Sequence, residues 1–206
     1  LSPQEITALQ ERTEGWIAGL QMAAISMQAK LKAQGPEGVS NFIKNFSGSN
    51  RFILDYLLDE VLSQQSEEVR SIMLETSILD QLSAPLCDAV IDKPGSQAFL
   101  DQLERANLFL IPLDDDQHWY RYHHLFAEFL RKRLKQLLPE RLPQLHQRAT
   151  DWYSENHMYS EAIRHALAAG DMERVQQSAA GDALAMVENS ELSDILKQFE
   201  ELPDQQ

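Results

Sequence analysis

With 206 residues and a 43% hydrophobic share, the chain is long enough for one large domain or two small ones around a real core. A formal charge of −14 repels phosphate backbones at long range, so a nucleic-acid partner would need a strong local basic patch, and only RKRLKQ at Arg131 to Gln136 offers one. No apolar run approaches the roughly 18 residues of a bilayer span, LSPQEITALQ lacks the regions of a signal peptide, and the single Cys87 has no partner for an internal disulfide; the chain is read as cytoplasmic, with no membrane contact.

From Ser2 to about Leu31 the apolar spacing is helical. Ser2-Pro3 supplies a cap and a first-turn proline, and Gly15 marks a break between two helices. LKAQGPEGVS reads as a loop by its Gly and Pro content. Asn50 reads as the cap of RFILDYLLDEVLSQQ, whose Phe52, Ile53, Leu57, Leu58 and Val61 form one apolar face. Three short helices follow: SEEVRSIMLETSIL, SAPLCDAVI introduced by Ser83, and SQAFLDQLERANL introduced by Ser96. Cys87 sits among apolar neighbours on the second of these, as a small buried side chain.

The period then changes to two in LFLIPL and HWYRYH, with DDDQ between them, which predicts a β-hairpin. Pro112 cannot donate to a ladder, so its strand should have an edge on that side. Alternation puts Tyr120 and Tyr122 on one face as packing residues. HLFAEFLRKRLKQLL returns to helix, with Leu125, Phe129, Leu130 and Leu134 on one side. Three helices and a hairpin in this order predict a winged-helix domain.

After Pro139, LPQLHQRATDWYSENHMYSEAIRHALAAGD predicts two antiparallel helices with a turn around His157. Trp152 and Tyr153 would face Ile163, Ala166 and Leu167, as in helical-hairpin repeats. Gly170 and Asp171 act as stop and restart, and a further helical pair ends at Pro203. So few units bury little alone, which points to the start of a longer array. The expected fold is mainly α: a helical domain over 1–64, a winged-helix domain with one β-hairpin over 65–138, and the start of a TPR-like helical-repeat domain over 139–206. The opening at Leu1 and the closing LPDQQ suggest a piece of a longer protein.

The adjacent histidines in HWYRYHHLFAEFLRKRL admit several readings. A metal site could draw on His118, His123, His124 and Asp114 to Asp116, but strand alternation sends His118 and His123 to opposite faces and no HExxH or Cys/His spacing is present; no metal is expected. The aspartates read as a solvated turn. No nucleophile stands near a base, so no catalytic residue is expected. Direct DNA binding by the winged helix is the rival reading. Against it, SQAFLDQLERANL carries Asp101 and Glu104 beside a single Arg105. The basic run, with Arg131 and Lys132, is expected to be an exposed helix side or an interdomain contact with an acidic surface.

Four stretches in order, RTEGWIAGLQMAAISM, SNRFILDYLLDEVL, LETSILDQLSAPLCDAV and NLFLIPLDDDQHWYRYHHLFAEFLR, resemble the MalT-like, or LAL, branch of the LuxR-type transcriptional regulators of the STAND class. The resemblance implies a parent in which a nucleotide-binding domain precedes this region and a DNA-binding helix-turn-helix follows it. It implies ATP/ADP as the parent's cofactor, an inducer, small molecule or protein, on the repeats, and self-oligomerisation of the active parent. The chain itself has no GxxxxGK[ST] phosphate loop; the glycines of KAQGPEG and NFSGSN lack its lysine, so the fragment is expected to need no cofactor and not to be an enzyme. Tyr122-His123-His124-Leu125 stands where such proteins carry a Met-His-Asp-Leu-like motif, so His123 is implied to reach the β-phosphate of ADP, with His124 in the place of the Asp. Gly19 to Gln21 resembles a Gly-Leu-Pro turn near the adenine, with Gln21 in the place of proline. His124, Arg131 and Lys132 are then interdomain residues. An imidazole suits a phosphate because it donates a hydrogen bond when neutral and adds charge when protonated.

Overall fold

The first helix begins where Ser2-Pro3 places it. In a computed structural model describing residues 1–46, 57–106 and 108–181, α1 spans Pro3–Thr13. Ser2 Oγ accepts the Glu5 N–H, and Glu5 returns the bond to the Ser2 N–H, a closed capping box. The expected break follows, with Glu14 at φ 46° and Gly15 at φ 78°. Helix α2 then runs Ile17–Lys44 as two helical stretches joined at a break within LKAQGPEGVS, where a ten-residue loop was expected. The correction has a local cause: only Gly35 leaves helical geometry (φ 66°, ψ −163°), and Pro36 after it has the φ that opens a helix. One glycine therefore makes a kink, not a loop. Arg12 ties the pair together by donating to the Phe46 carbonyl at 2.7 Å.

The Asn50 cap, Phe52 and Ile53 lie outside the described residues. The described part of that stretch, Leu57–Leu62, is a π-helix with Leu57, Val61 and Leu62 buried.

Helices α3 (Glu67–Thr76), α4 (Ala84–Ile91) and α5 (Ser96–Arg105) follow as predicted. Two caps differ from expectation. Ser83 holds the cap position of α4, but its hydroxyl makes no cap bond. Gly95, at φ 112°, caps α5, while the Ser96 N–H is taken by Asp88 Oδ1 at 2.8 Å.

Strands β1 (Leu110–Pro112) and β2 (Tyr120–Tyr122) form the predicted antiparallel hairpin, with Pro112 opposite Tyr120. Proline fits there for a specific reason. Both main-chain groups of Tyr120 are taken on its other side by Leu82, at 2.7 and 2.8 Å, so nothing of Tyr120 is left facing Pro112 for its missing N–H to satisfy. Tyr120 and Tyr122 point inward and are buried, and the Tyr122 hydroxyl meets that of Thr76 at 2.9 Å. Asp114 Oδ1 accepts the N–H groups of His118 and Trp119, which closes the wing turn, while Asp115 and Asp116 are exposed.

Helix α6 (His124–Leu137) buries Leu125, Phe129, Leu130 and Leu134, the expected face, together with Phe126. It packs on α3 and on α1. Arg131, 38% exposed along its side chain, is also bound within its own unit. Its Nε donates to the Ser77 carbonyl at 2.7 Å, and Nη2 reaches the Leu79 carbonyl and Asp80 Oδ1, so the guanidinium closes the exit of α3. Lys132 is half-buried beside it. All these elements belong to one compact unit, Leu1–Pro139.

The second unit begins at Glu140, within a short 3-10 turn at Pro139–Arg141. Helices α7 (Leu142–Glu155) and α8 (Tyr159–Ala169) pack antiparallel about His157, which takes φ 59°. Tyr153 and Ala166 are buried as expected, but Leu167 is 56% exposed. The missed partner is His165, whose ring stacks on Tyr153 at 5.4 Å and whose Nδ1 lies 2.9 Å from His146 Nδ1. Gly170 ends α8 at φ 73°, and Asp171 accepts the Arg174 N–H to start the helix at 172–181. The helical pair expected to end at Pro203 lies outside the described residues. Among the described residues the fold is mainly α with one hairpin.

Arg131 closes α3 through charged hydrogen bonds to carbonyls, so Arg131→Ala should lower stability to urea by about 1–3 kcal/mol; Arg131→Lys should recover little, since an ammonium has no fork. Cys87 is fully buried, and burial pushes its thiol up to about 12. The native chain should therefore resist a disulfide reagent at pH 8 and react only once unfolded in denaturant.

Candidate functional site

The Gly15 break leaves Glu14 at the exit of α1 in a left-handed conformation that non-glycine residues rarely adopt. That backbone turn sends the Glu14 carboxylate toward the start of α6. There it meets three side chains of the winged helix. Arg121 Nη1 lies 3.0 Å from Oε1 and 3.2 Å from Oε2; His124 Nδ1 is 3.4 Å from Oε1; His123 Nε2 is 3.5 Å from Oε2. Strand alternation explains Arg121: with Tyr120 and Tyr122 inward, the residue between them faces the other way.

His123 is fixed from both ends. Its Nδ1 accepts the Leu125 N–H at 3.3 Å and so caps α6, while Nε2 pairs with the Thr13 carbonyl at 2.8 Å. Only the neutral ring with its proton on Nε2 makes both bonds. Its main-chain N–H is held as well, by the Phe109 carbonyl at 2.7 Å. Trp16 stands edge-on to both Phe109 and His123, at 5.0 and 6.0 Å between centroids, and His124 stacks on His123 at 4.9 Å. The residue is 5% exposed. Burial lowers its tendency to protonate, outweighing the Thr13 bond and the Glu14 charge that favour the cation. For Glu14, burial works toward the neutral acid, yet the Arg121 hydrogen bond and the neighbouring cationic groups prevail and hold the carboxyl below the usual carboxylate range.

Among the sequence-predicted residues, the structure brings His123 and His124 together and leaves the others apart from them. Gly19 is buried in α2, and a Cβ there would run into the Trp16 ring, so this glycine already answers to a close aromatic neighbour. Gln21 is exposed on the same helix. Arg131 is bound within the winged helix, as described. His118 is exposed on the wing. Sequence reasoning missed Glu14 and Arg121. The only local signal was a carboxylate directly ahead of the Gly15 break; the pair lie 107 positions apart.

Glu14, His123 and His124 can each offer a ligand atom within 4.8 Å of the others, and no other such group occurs among the described residues. As arranged they suit a cation poorly. The His123 nitrogen facing the group carries a proton, its lone pair is turned to Leu125, and Arg121 already sits on the carboxylate. The arrangement is a clasp of donors around an anion.

Because the folded state prefers neutral His123, the unfolded chain binds more protons as pH falls below the ordinary value of 6.5. The stability contributed by His123 is therefore complete above that pH and declines toward its lowered native pKa. Between pH 7 and 5.5, His123→Asn, which keeps a capping acceptor without a titrating ring, should lose less stability than the parent chain in urea titrations. Equal losses would place the proton elsewhere.

The model of the MalT winged helix domain matches residues 58–142. A serine/threonine-protein kinase, PknK of Mycobacterium tuberculosis, is 32% identical over 199 residues, covering 97% of this chain and 17% of the kinase. The HTH-type transcriptional regulator MalT of Klebsiella pneumoniae is 35% identical over 190 residues, 92% of this chain and 20% of the regulator. The MalT of Yersinia pestis is 34% identical over 194 residues, 94% of this chain and 21% of the regulator. The chain thus spans about a fifth of the length of the curated relatives it matches. No helix among the described residues is long and apolar enough to cross a membrane. By its winged helix and by the sequence on both sides of it, the chain belongs to the MalT-like family.

Proposed function

We propose that this chain is the regulatory middle region of a STAND-type, ATP-dependent transcriptional regulator, coupling the nucleotide state of a neighbouring domain and an inducer on the repeats to self-oligomerisation. The observation that carries the reading is the clasp: the exit of α1 and the entry of α6 are joined by one imidazole and one carboxylate. A winged helix held in this way has two states available, clasped and released, and a ligand with different affinity for the two shifts their balance. The comparisons support a role upstream of output. One and the same stretch aligns with proteins named as a kinase and as an HTH-type regulator, so its work is common to both and separate from either output.

Within this reading, ADP held by the parent's nucleotide-binding domain approaches the clasp with its phosphates. Arg121 and His124, each about a third exposed at 33% and 34%, meet them first. His123 contributes only after its Nε2–H turns from the Thr13 carbonyl. By resemblance Gly19 and Gln21 stand near the adenine, and His124, Arg131 and Lys132 are the interdomain contacts of this scheme. The basic α6 face is a poor case for direct DNA binding, since Asp101 and Glu104 lie on α5, the helix such domains place in a groove.

In the full-length parent, His123→Asn should shorten ADP retention by about tenfold, the cost of one charge-assisted hydrogen bond, and raise transcription without inducer. ADP retention equal to the parent's would remove His123 from the nucleotide contact.

A further inference from the structure

The donors around Glu14 make an oxyanion site whose present occupant is part of the protein. Arg121 approaches both carboxylate oxygens, and His124 and His123 each approach one, at 3.0 to 3.5 Å. The site stands at the N-terminal end of α6, a helix of 14 residues whose end carries positive partial charge. The set of one guanidinium, two imidazoles and a helix start is what recognises a carboxylate or a phosphate. Glu14 itself is held there by an uncommon backbone, at φ 46°, and its side chain is 24% exposed, so solutes can reach the place it fills.

We propose that Glu14 is a built-in competitor: its carboxylate occupies the oxyanion site of Arg121, His124 and His123, and a phosphate group binds there only by displacing it. The proposal deepens the nucleotide reading above and rests on it for its biological sense, since it names what keeps the phosphate out. The physical basis is exclusion between like charges. A phosphate cannot share these donors with a carboxylate a few ångströms away, because each loses the contacts and gains the repulsion of the other. The N···O separations of 3.4 and 3.5 Å at the two imidazoles are longer than strong charge-assisted bonds, which leaves room for a better-fitting anion. Arg121 is the grip that both occupants need. His123 holds the start of α6 through Leu125, whichever anion is present.

The consequence is a threshold. Weak or dilute anions fail against a tethered carboxylate whose effective concentration is high, whereas a polyphosphate presented by a neighbouring domain is tethered too and competes on equal terms.

Isothermal titration of the 206-residue chain with inorganic pyrophosphate tests this without any nucleotide-binding domain. Glu14→Gln should bind pyrophosphate at least about tenfold tighter than the parent chain, as expected when a close like charge is removed, and the gain should vanish when Arg121→Ala or His124→Ala is added. Glu14→Asn, which tolerates a left-handed backbone and retracts the side chain, should behave like Glu14→Gln and serves if that variant unfolds by circular dichroism. Overturning results are an unchanged affinity in both Glu14 variants, or a gain that survives loss of Arg121 and disappears with Lys132→Ala, which would move the anion to the basic face of α6. Failure here leaves the ADP-retention test in the parent intact, and failure there leaves this titration intact, so the two ideas fall separately.

Discussion

An imidazole has two nitrogens, and in His123 each is bound to a different part of the chain. One caps α6 and the other reaches the carbonyl that ends α1. Because a single neutral tautomer serves both bonds, the ring fixes the distance between the helical pair and the winged helix, and with it the place where Glu14, Arg121 and His124 converge. The aromatic ring of Trp16 and the left-handed turn at Phe109 close around the same histidine. The rest of the site takes its geometry from this ring.

The clasp has two layers that differ in how firmly they are held. His123 is buried and its partners are main-chain groups, so it is held more firmly than the side chains outside it. Glu14, Arg121 and His124 are each partly exposed, and ion pairs of that kind contribute little to stability. A weak outer layer on a firm inner one can change partners without unfolding the protein. This is the property a switch requires, whereas a fully buried ion pair would be too costly to open. The commitment of Arg131 to the exit of α3 fits the same division, since a basic residue expected to face a partner also holds the platform still.

Much of the fold was legible because it rests on local signals. Ser2-Pro3, the change of period at LFLIPL and HWYRYH, and the apolar face of α6 all act over a few residues. LKAQGPEGVS shows the limit of composition: Gly35-Pro36 marks the break between two helical stretches, but not that it takes a single residue instead of ten. The site was half legible. His123 and His124 announced themselves as neighbours in a motif, but the residues that give them meaning are a carboxylate and an arginine joined only by tertiary structure. The burial of His123 was not legible either, because helix capping and outward reach call for the same residue at the same position. In the second unit Leu167 was expected inside on spacing alone, and His165 took that place because Tyr153 offers a flat face to stack on.

The pairing of Tyr120 with Leu82 reaches beyond the hairpin itself. Since β2 is anchored to a segment before α4 as well as to β1, the acidic tip between the two strands is the part of the hairpin held chiefly by its own turn. Insertions or deletions between positions 113 and 119 can therefore accumulate without shifting the tyrosines or the histidines behind them. Evolution is free to reshape that projection for new neighbours while the machinery at its base stays the same.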